Sequence, residues 1–185
     1  MDTLKYAQQV MDELQRSVSQ LDVEEAERMA ELLLGAGKVF IAGAGRSGLM
    51  GRAFAMRLMH VGKEAYVVGE TVTPGIEQGD VLVLGSGSGE TKGLISMAEK
   101  AKQIGAEVIV VTITPDSTVG RLANYTVKLP GSPKDQASGS YSTIQPMASL
   151  FEQTMLVFYD AVILRMMEKT GQTTTQMFGK HANLE

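Results

Sequence analysis

Cysteine is absent from this chain of 185 residues, which excludes a disulfide framework and thiolate metal sites and agrees with a cytoplasmic location. An excess of positive charge is also missing. Lys and Arg number 17 against 21 Asp and Glu, a formal charge of −4, and without a basic surface neither nucleic acid nor an anionic membrane is expected as a partner. No apolar run approaches the roughly 20 residues that a membrane-crossing helix requires. The most apolar stretch, Met155 to Met167, is interrupted by Asp160 and Arg165 and reads as a buried helix. The N-terminal MDTLKYAQQVMDELQRSV carries charges throughout, with no unbroken apolar core of the kind that marks a segment for export. Fixed-period repeats and low-complexity tracts are lacking too. What is present is globular in composition, with 44% hydrophobic and 21% charged residues, and its length predicts one domain with a short appended arm.

The arm is residues 1–36. Leu4, Ala7, Met11, Leu14, Val18 and Leu21 recur at spacings of three and four, an apolar stripe that should pack on another surface. Asp22 followed by Glu25 has the spacing of a capping box for a second helix, which Gly35 and Gly37 are expected to close. From residue 37 onward, β-branched runs alternate with helical stretches: Lys38 to Ala42, Ala65 to Val68, Val81 to Leu84, Glu107 to Ile113 and Tyr125 to Leu129. Near-continuous Val/Ile/Leu runs suit strands buried on both faces. The rhythm predicts an α/β fold: a three-layer αβα sandwich around a five-stranded parallel sheet, flavodoxin-like, with N-terminal helices and a long C-terminal helix. Pro130 to Thr143 reads as a long loop. The C-terminal helix is expected from about Pro146 to Lys169. One stripe on it holds Phe151, Met155, Phe158 and Val162, and another holds Leu156, Tyr159 and Ile163, so a second subunit is expected to cover one side. With the N-terminal stripe, this predicts a homo-oligomer, a tetramer built as a dimer of dimers. The twelve methionines read as core filling.

Two loops carry the chemistry. Gly43-Ala44-Gly45-Arg46-Ser47-Gly48 follows the first strand and opens a helix, a pattern that lets backbone N–H groups approach an anion. Glu70, about 20 residues beyond, keeps a dinucleotide-binding reading open; a plain tight turn is the other alternative. The second loop, Gly85-Ser86-Gly87-Ser88-Gly89-Glu90-Thr91, crowds three hydroxyls into one strand-to-helix turn, enough donors to enclose a phosphate monoester. Serine and glycine are common in ordinary turns, but a dinucleotide fold has no use for this second cup.

Together with the MRLMHVG helix, PMASLFEQ at the start of the last long helix and the closing KHANLE, these loops resemble the sugar isomerase, or SIS, domain family, and within it the stand-alone branch that isomerises hexulose phosphates. The chain departs from the family pattern at Ala148, where glycine is expected. The resemblance covers nearly the whole chain and implies that residues 37–185 form a phosphosugar-binding domain of SIS type. It implies interconversion of D-arabino-hex-3-ulose 6-phosphate and fructose 6-phosphate through an enediol, the isomerase step of the ribulose monophosphate route of formaldehyde fixation, with no metal and no cofactor. A carboxylate of raised pKa would serve as base. The family motifs make Glu152 the candidate base and His181 the candidate proton shuttle, with the possibility that the tail reaches a neighbouring subunit's site. Substrate binding falls to Gly45, Arg46, Ser47, Ser86, Gly87, Ser88 and Thr91, and Glu70 and Thr71 are candidates to touch the sugar. His60 reads as structural, a cation or dipole partner at a helix C-terminus just before Gly62. A non-catalytic phosphosugar sensor is the alternative function, because SIS domains also serve in regulators.

Overall fold

The computed structural model describes residues 2–132 and 141–184. The expected loop from Pro130 to Thr143 therefore lies partly outside the described residues, at 133–140. In chain order the elements are α1 (Thr3–Val18), α2 (Val23–Gly35), β1 (Lys38–Gly43), α3 (Gly45–His60), β2 (Glu64–Val67) and β3 (Val81–Gly85). They continue as α4 (Lys92–Ile104), β4 (Glu107–Thr112), α5 (Thr118–Leu122), β5 (Tyr125–Lys128), α6 (Ser149–Thr170) and α7 (Thr174–Phe178). The strands form one parallel sheet in the order β2-β1-β3-β4-β5. The chain reverses direction across the sheet between β1 and β3, and the loops leaving those two strands diverge around a crevice.

Period-two alternation divides the core. Val39, Ile41, Val81, Val83, Ile109 and Val111 point toward α2, α3 and α6. Phe40, Leu82, Leu84, Val108 and Val110 point toward α4 and α5. Both faces are covered, which is why these strands read as unbroken apolar runs, and each fully buried Val, Leu or Ile contributes about 1.5–3 kcal/mol. α2 adds Met29, Ala30 and Leu33 to the same core as the sheet. Among the described residues no helix is long and apolar enough to cross a membrane.

Several local expectations are corrected. Asp22 does cap α2, accepting from the N–H groups of Glu24 and Glu25 at 2.8 and 3.0 Å. The carboxylate of Glu25, however, accepts from the backbone N–H of Lys128 on β5 at 2.8 Å, tying the helix to the sheet edge. α2 ends through extended Ala36, without a left-handed glycine. α6 begins three residues later than expected, because Met147 and Ala148 are left-handed, with φ of 56° and 66°. Its two apolar stripes need no second subunit, since α1, α2 and α3 of the same chain pack around it. α1 buries Glu13 and Ser17 and leaves Leu4 and Met11 exposed, the reverse of what its apolar stripe predicts.

Candidate active site

The crevice between β1 and β3 is bounded by three chain segments. The first is the β1–α3 turn. A side chain at Gly48 would come within 2.5 Å of the Gly43 carbonyl oxygen, so the glycines of this motif serve the close packing of helix on strand. That packing sets Ser47, buried in the first turn of α3, against the crevice wall.

The second is the Gly85–Thr91 loop. It is held down by its own hydrogen bonds: the Ser86 N–H donates to the Val111 carbonyl at 3.0 Å, and Ile113 N–H donates to the Gly87 carbonyl at 3.2 Å. The Ser86 hydroxyl accepts from Gly89 N–H at 3.1 Å and the Ser88 hydroxyl from Glu90 N–H at 3.3 Å. Gly89 has φ of 63° and a side chain there would meet the Ser117 hydroxyl at 1.8 Å, so no other residue fits this turn. Glu90 braces the loop from outside, its carboxylate accepting from the N–H and hydroxyl of Thr118, both at 2.8 Å. Those two bonds hold the Glu90 carboxyl below its ordinary pKa. Thr91 stands at the N-cap position of α4 without a side-chain capping bond, and neither the first turn of α4 nor that of α3 contains an acidic residue. Two positive helix ends thus meet a row of hydroxyls, an arrangement suited to an anion.

The third segment is the start of α6. Glu152 is 4% exposed. One carboxylate oxygen accepts from the Ser47 hydroxyl at 3.5 Å, a long bond, and the other faces the Arg46 guanidinium at 3.3 Å. A cavity of about 270 Å³ joins all three segments. Ser47, Ser86, Gly87, Ser88, Thr91 and Glu152, six of the residues singled out from the sequence, line it. Gly45 and Arg46 do not form its wall; Gly45 supplies the left-handed turn into α3, and Arg46 reaches the cavity through Glu152. Ala44, Ile113, Ala148 and Phe151 supply the apolar part of the lining, and sequence reasoning assigned none of them to the site. Ile113 follows the carboxyl end of β4, and that position was the available signal.

His181 is elsewhere. Its ring stacks on His60 with centroids 5.5 Å apart, in a separate hollow with Arg57, Asp160 and Phe178. Burial, then the charges of Arg57 and His181, push the His60 pKa below the ordinary histidine value, which disfavours a cation at this position. Glu70, the acid that a dinucleotide reading requires, pairs with Arg52 of α3, and neither it nor Thr71 lines the cavity.

The SIS domain family model matches residues 32–157. The chain is 53% identical over 185 residues to the 3-hexulose-6-phosphate isomerase of Bacillus subtilis (strain 168), covering 100% of both chains. It is 41% identical over 176 residues to the 3-hexulose-6-phosphate isomerase of Mycobacterium gastri, covering 95% of this chain and 88% of that one. A crystal structure from Methanococcus jannaschii, from which a function of 3-hexulose-6-phosphate isomerase was inferred, superimposes with a TM-score of 0.83 at 33% identity, covering 98% of this chain and 99% of that one.

Proposed function

This chain belongs to the SIS domain family, and we propose that it is an isomerase interconverting D-arabino-hex-3-ulose 6-phosphate and fructose 6-phosphate. One observation carries the reading. A buried carboxylate and a hydroxyl-rich, positively polarised loop share one cavity, in a chain that matches a 3-hexulose-6-phosphate isomerase from end to end.

The proposed chemistry follows from that pairing. The phosphate is held by the hydroxyls of Ser86, Ser88 and Thr91 at the N-terminus of α4, a charge-assisted set of bonds. A five-membered ring closing on C3 would need the C6 hydroxyl, which is phosphorylated, so the 3-ketose enters as an open chain. Glu152 takes the proton from C2. Electrons move into a C2–C3 enediol, the proton returns at C3, and the two oxygens exchange theirs. Ser47 and Arg46, both on the Glu152 carboxylate, orient it and balance its charge. General acid–base catalysis of this kind is worth about 10²–10⁴-fold.

His181 is assigned the oxygen-to-oxygen proton transfer. In its own chain it faces His60 rather than Glu152, so the assignment requires the tail of a neighbouring copy. The proposal therefore includes a homo-oligomer, a tetramer, with a site shared between subunits. It places the enzyme in the cytoplasm, where phosphorylated sugars are metabolised, and in formaldehyde fixation or detoxification through the ribulose monophosphate pathway.

The deciding experiment supplies 3-hexulose 6-phosphate and couples any fructose 6-phosphate formed to a reporter dehydrogenase. Steady turnover is expected. Tight binding of the phosphosugar with no product would leave a sensor and end the isomerase reading.

A further inference from the structure

Glu13 is a carboxylate that the chemistry above does not use, yet it is 5% exposed on a helix whose Leu4, Tyr6 and Met11 face solvent. It is also densely bonded. One oxygen accepts from the backbone N–H of Ile144 at 2.7 Å; the other accepts from the Thr143 hydroxyl at 2.6 Å and from the Gln145 side-chain amide at 3.0 Å. One turn further along α1, the Ser17 hydroxyl meets that of Tyr141 at 3.2 Å. Burial of a charged group without such bonds would be strongly unfavourable, so α1 and the segment 141–145 are fitted to one another.

What this clamp holds leads directly into the site. After Gln145 the chain passes Pro146 and enters Met147 and Ala148, both left-handed, a conformation that L-residues with a Cβ adopt only when their surroundings impose it. Ala148 lines the cavity, and its carbonyl accepts the Glu152 N–H at 3.2 Å. The first turn of α6 inherits its position from this strained entry. The upstream side of the entry is gripped by Glu13.

We propose that Glu13 is a positioning residue for the isomerisation: by clamping Thr143, Ile144 and Gln145 it imposes the left-handed entry into α6 and so aims the Glu152 carboxylate. The inference rests on Glu152 being the base. Glu13 never touches substrate; its effect passes through the backbone. It should therefore alter turnover and leave the phosphate loop, which belongs to other elements, unaffected.

The test compares Glu13→Gln, Thr143→Val, Glu152→Gln and the Glu13→Gln/Glu152→Gln double variant in the coupled hexulose phosphate assay. Gln at position 13 keeps the shape but turns one acceptor toward donors as a donor itself. A displacement of the base on the order of 1 Å costs up to about 10²-fold, so kcat of Glu13→Gln should fall by about 10–100-fold with KM within about twofold of the parent. Thr143→Val, which removes one donor to Glu13 together with the acceptor of the Gln145 N–H but leaves the carboxylate and its other two bonds, should fall in the same direction by less. In the Glu152→Gln background, Glu13→Gln should cost nothing further, because the group it aims is already disabled. A parent-level kcat in Glu13→Gln beside a disabled Glu152→Gln overturns this inference alone; a parent-level rate in Glu152→Gln overturns the reading beneath it. Full additivity in the double variant, or a rise in KM with kcat preserved, also overturns the positioning role. Should Glu13→Gln fail to fold, Thr143→Val decides: unchanged kcat rejects the clamp.

Discussion

Glu152 and Ala148 sit four residues apart, and the helix start between them sets two predictions at the scale of single side chains. Replacing Glu152 with Gln keeps size and most hydrogen-bonding capacity while removing the basic oxygen. Turnover is expected to fall by about 10²–10⁴-fold with little change in KM, because the phosphate is proposed to be held by Ser86, Ser88 and Thr91 and not by Glu152. Steady-state kinetics with both sugars as substrate would check both halves, and a loss of binding with kcat intact would make Glu152 a binding residue only. Ala148 is left-handed at φ 66° and buried. Glycine loses the Cβ clash but is freer when unfolded, so Ala148→Gly should stabilise the fold by about 0.5–1 kcal/mol. Denaturant titration would register this as a raised midpoint at constant slope, and a lowered midpoint would show that the methyl group's packing outweighs the strain.

At the scale of elements, α2 is fastened to α6 by a charge network. The Glu27 carboxylate accepts from Arg165 Nη2 at 3.0 Å and pairs with Lys169 at 3.0 Å. The hydrogen bonds from Arg165 and then Lys169 hold its pKa down to about 2, from an ordinary 4.5. A carboxyl whose folded pKa is depressed adds stability that is fully present above the unfolded value and disappears as pH falls through the folded one. The contribution is therefore expected above about pH 4.5 and should be lost toward about pH 2. Unfolding midpoints of the parent and Glu27→Gln should differ at neutral pH and converge across that window, with added salt shrinking the difference because the network lies at the surface. Parallel pH curves for the two proteins would show that the network contributes nothing to the docking of α2.

Assembly belongs to the whole molecule. Leu4 and Met11 on α1, Leu164 on α6 and Phe178 on α7 are exposed in the single chain, and His181 lies outside the cavity of its own chain. Light scattering is expected to give the mass of a tetramer, and a stable monomer at micromolar concentration would reject the assembly. If Glu152 and His181 come from different subunits, Glu152→Gln and His181→Gln proteins should complement one another when unfolded together and refolded. Random assembly unites two intact residues in roughly a quarter of sites, so about that share of parental activity should return. No recovery in a mixed oligomer would confine each site to one chain.

The alternation of β-branched runs determined the fold, and each of the five strands lies within one residue of its expected ends. It is legible because burial on both faces leaves only apolar residues along a strand, a constraint that acts locally. The hydroxyl-rich loop was legible for a similar reason, its chemistry sitting in contiguous residues at a strand end, whereas Glu152 was reached only through the family resemblance of PMASLFEQ. Other features were invisible. On sequence alone Glu13 is one more charged residue on an amphipathic helix, and nothing near it distinguishes a buried clamp from a solvated side chain. Its partners are 130 to 132 residues away. The sheathing of α6 by α1, α2 and α3, the stacking of His181 on His60 and the left-handed entry at Met147 and Ala148 were likewise decided by packing. Local pattern reports how a segment meets water; only the closed tertiary structure determines which distant segment replaces that water, and there the hydrogen bonds of a buried charge are assigned.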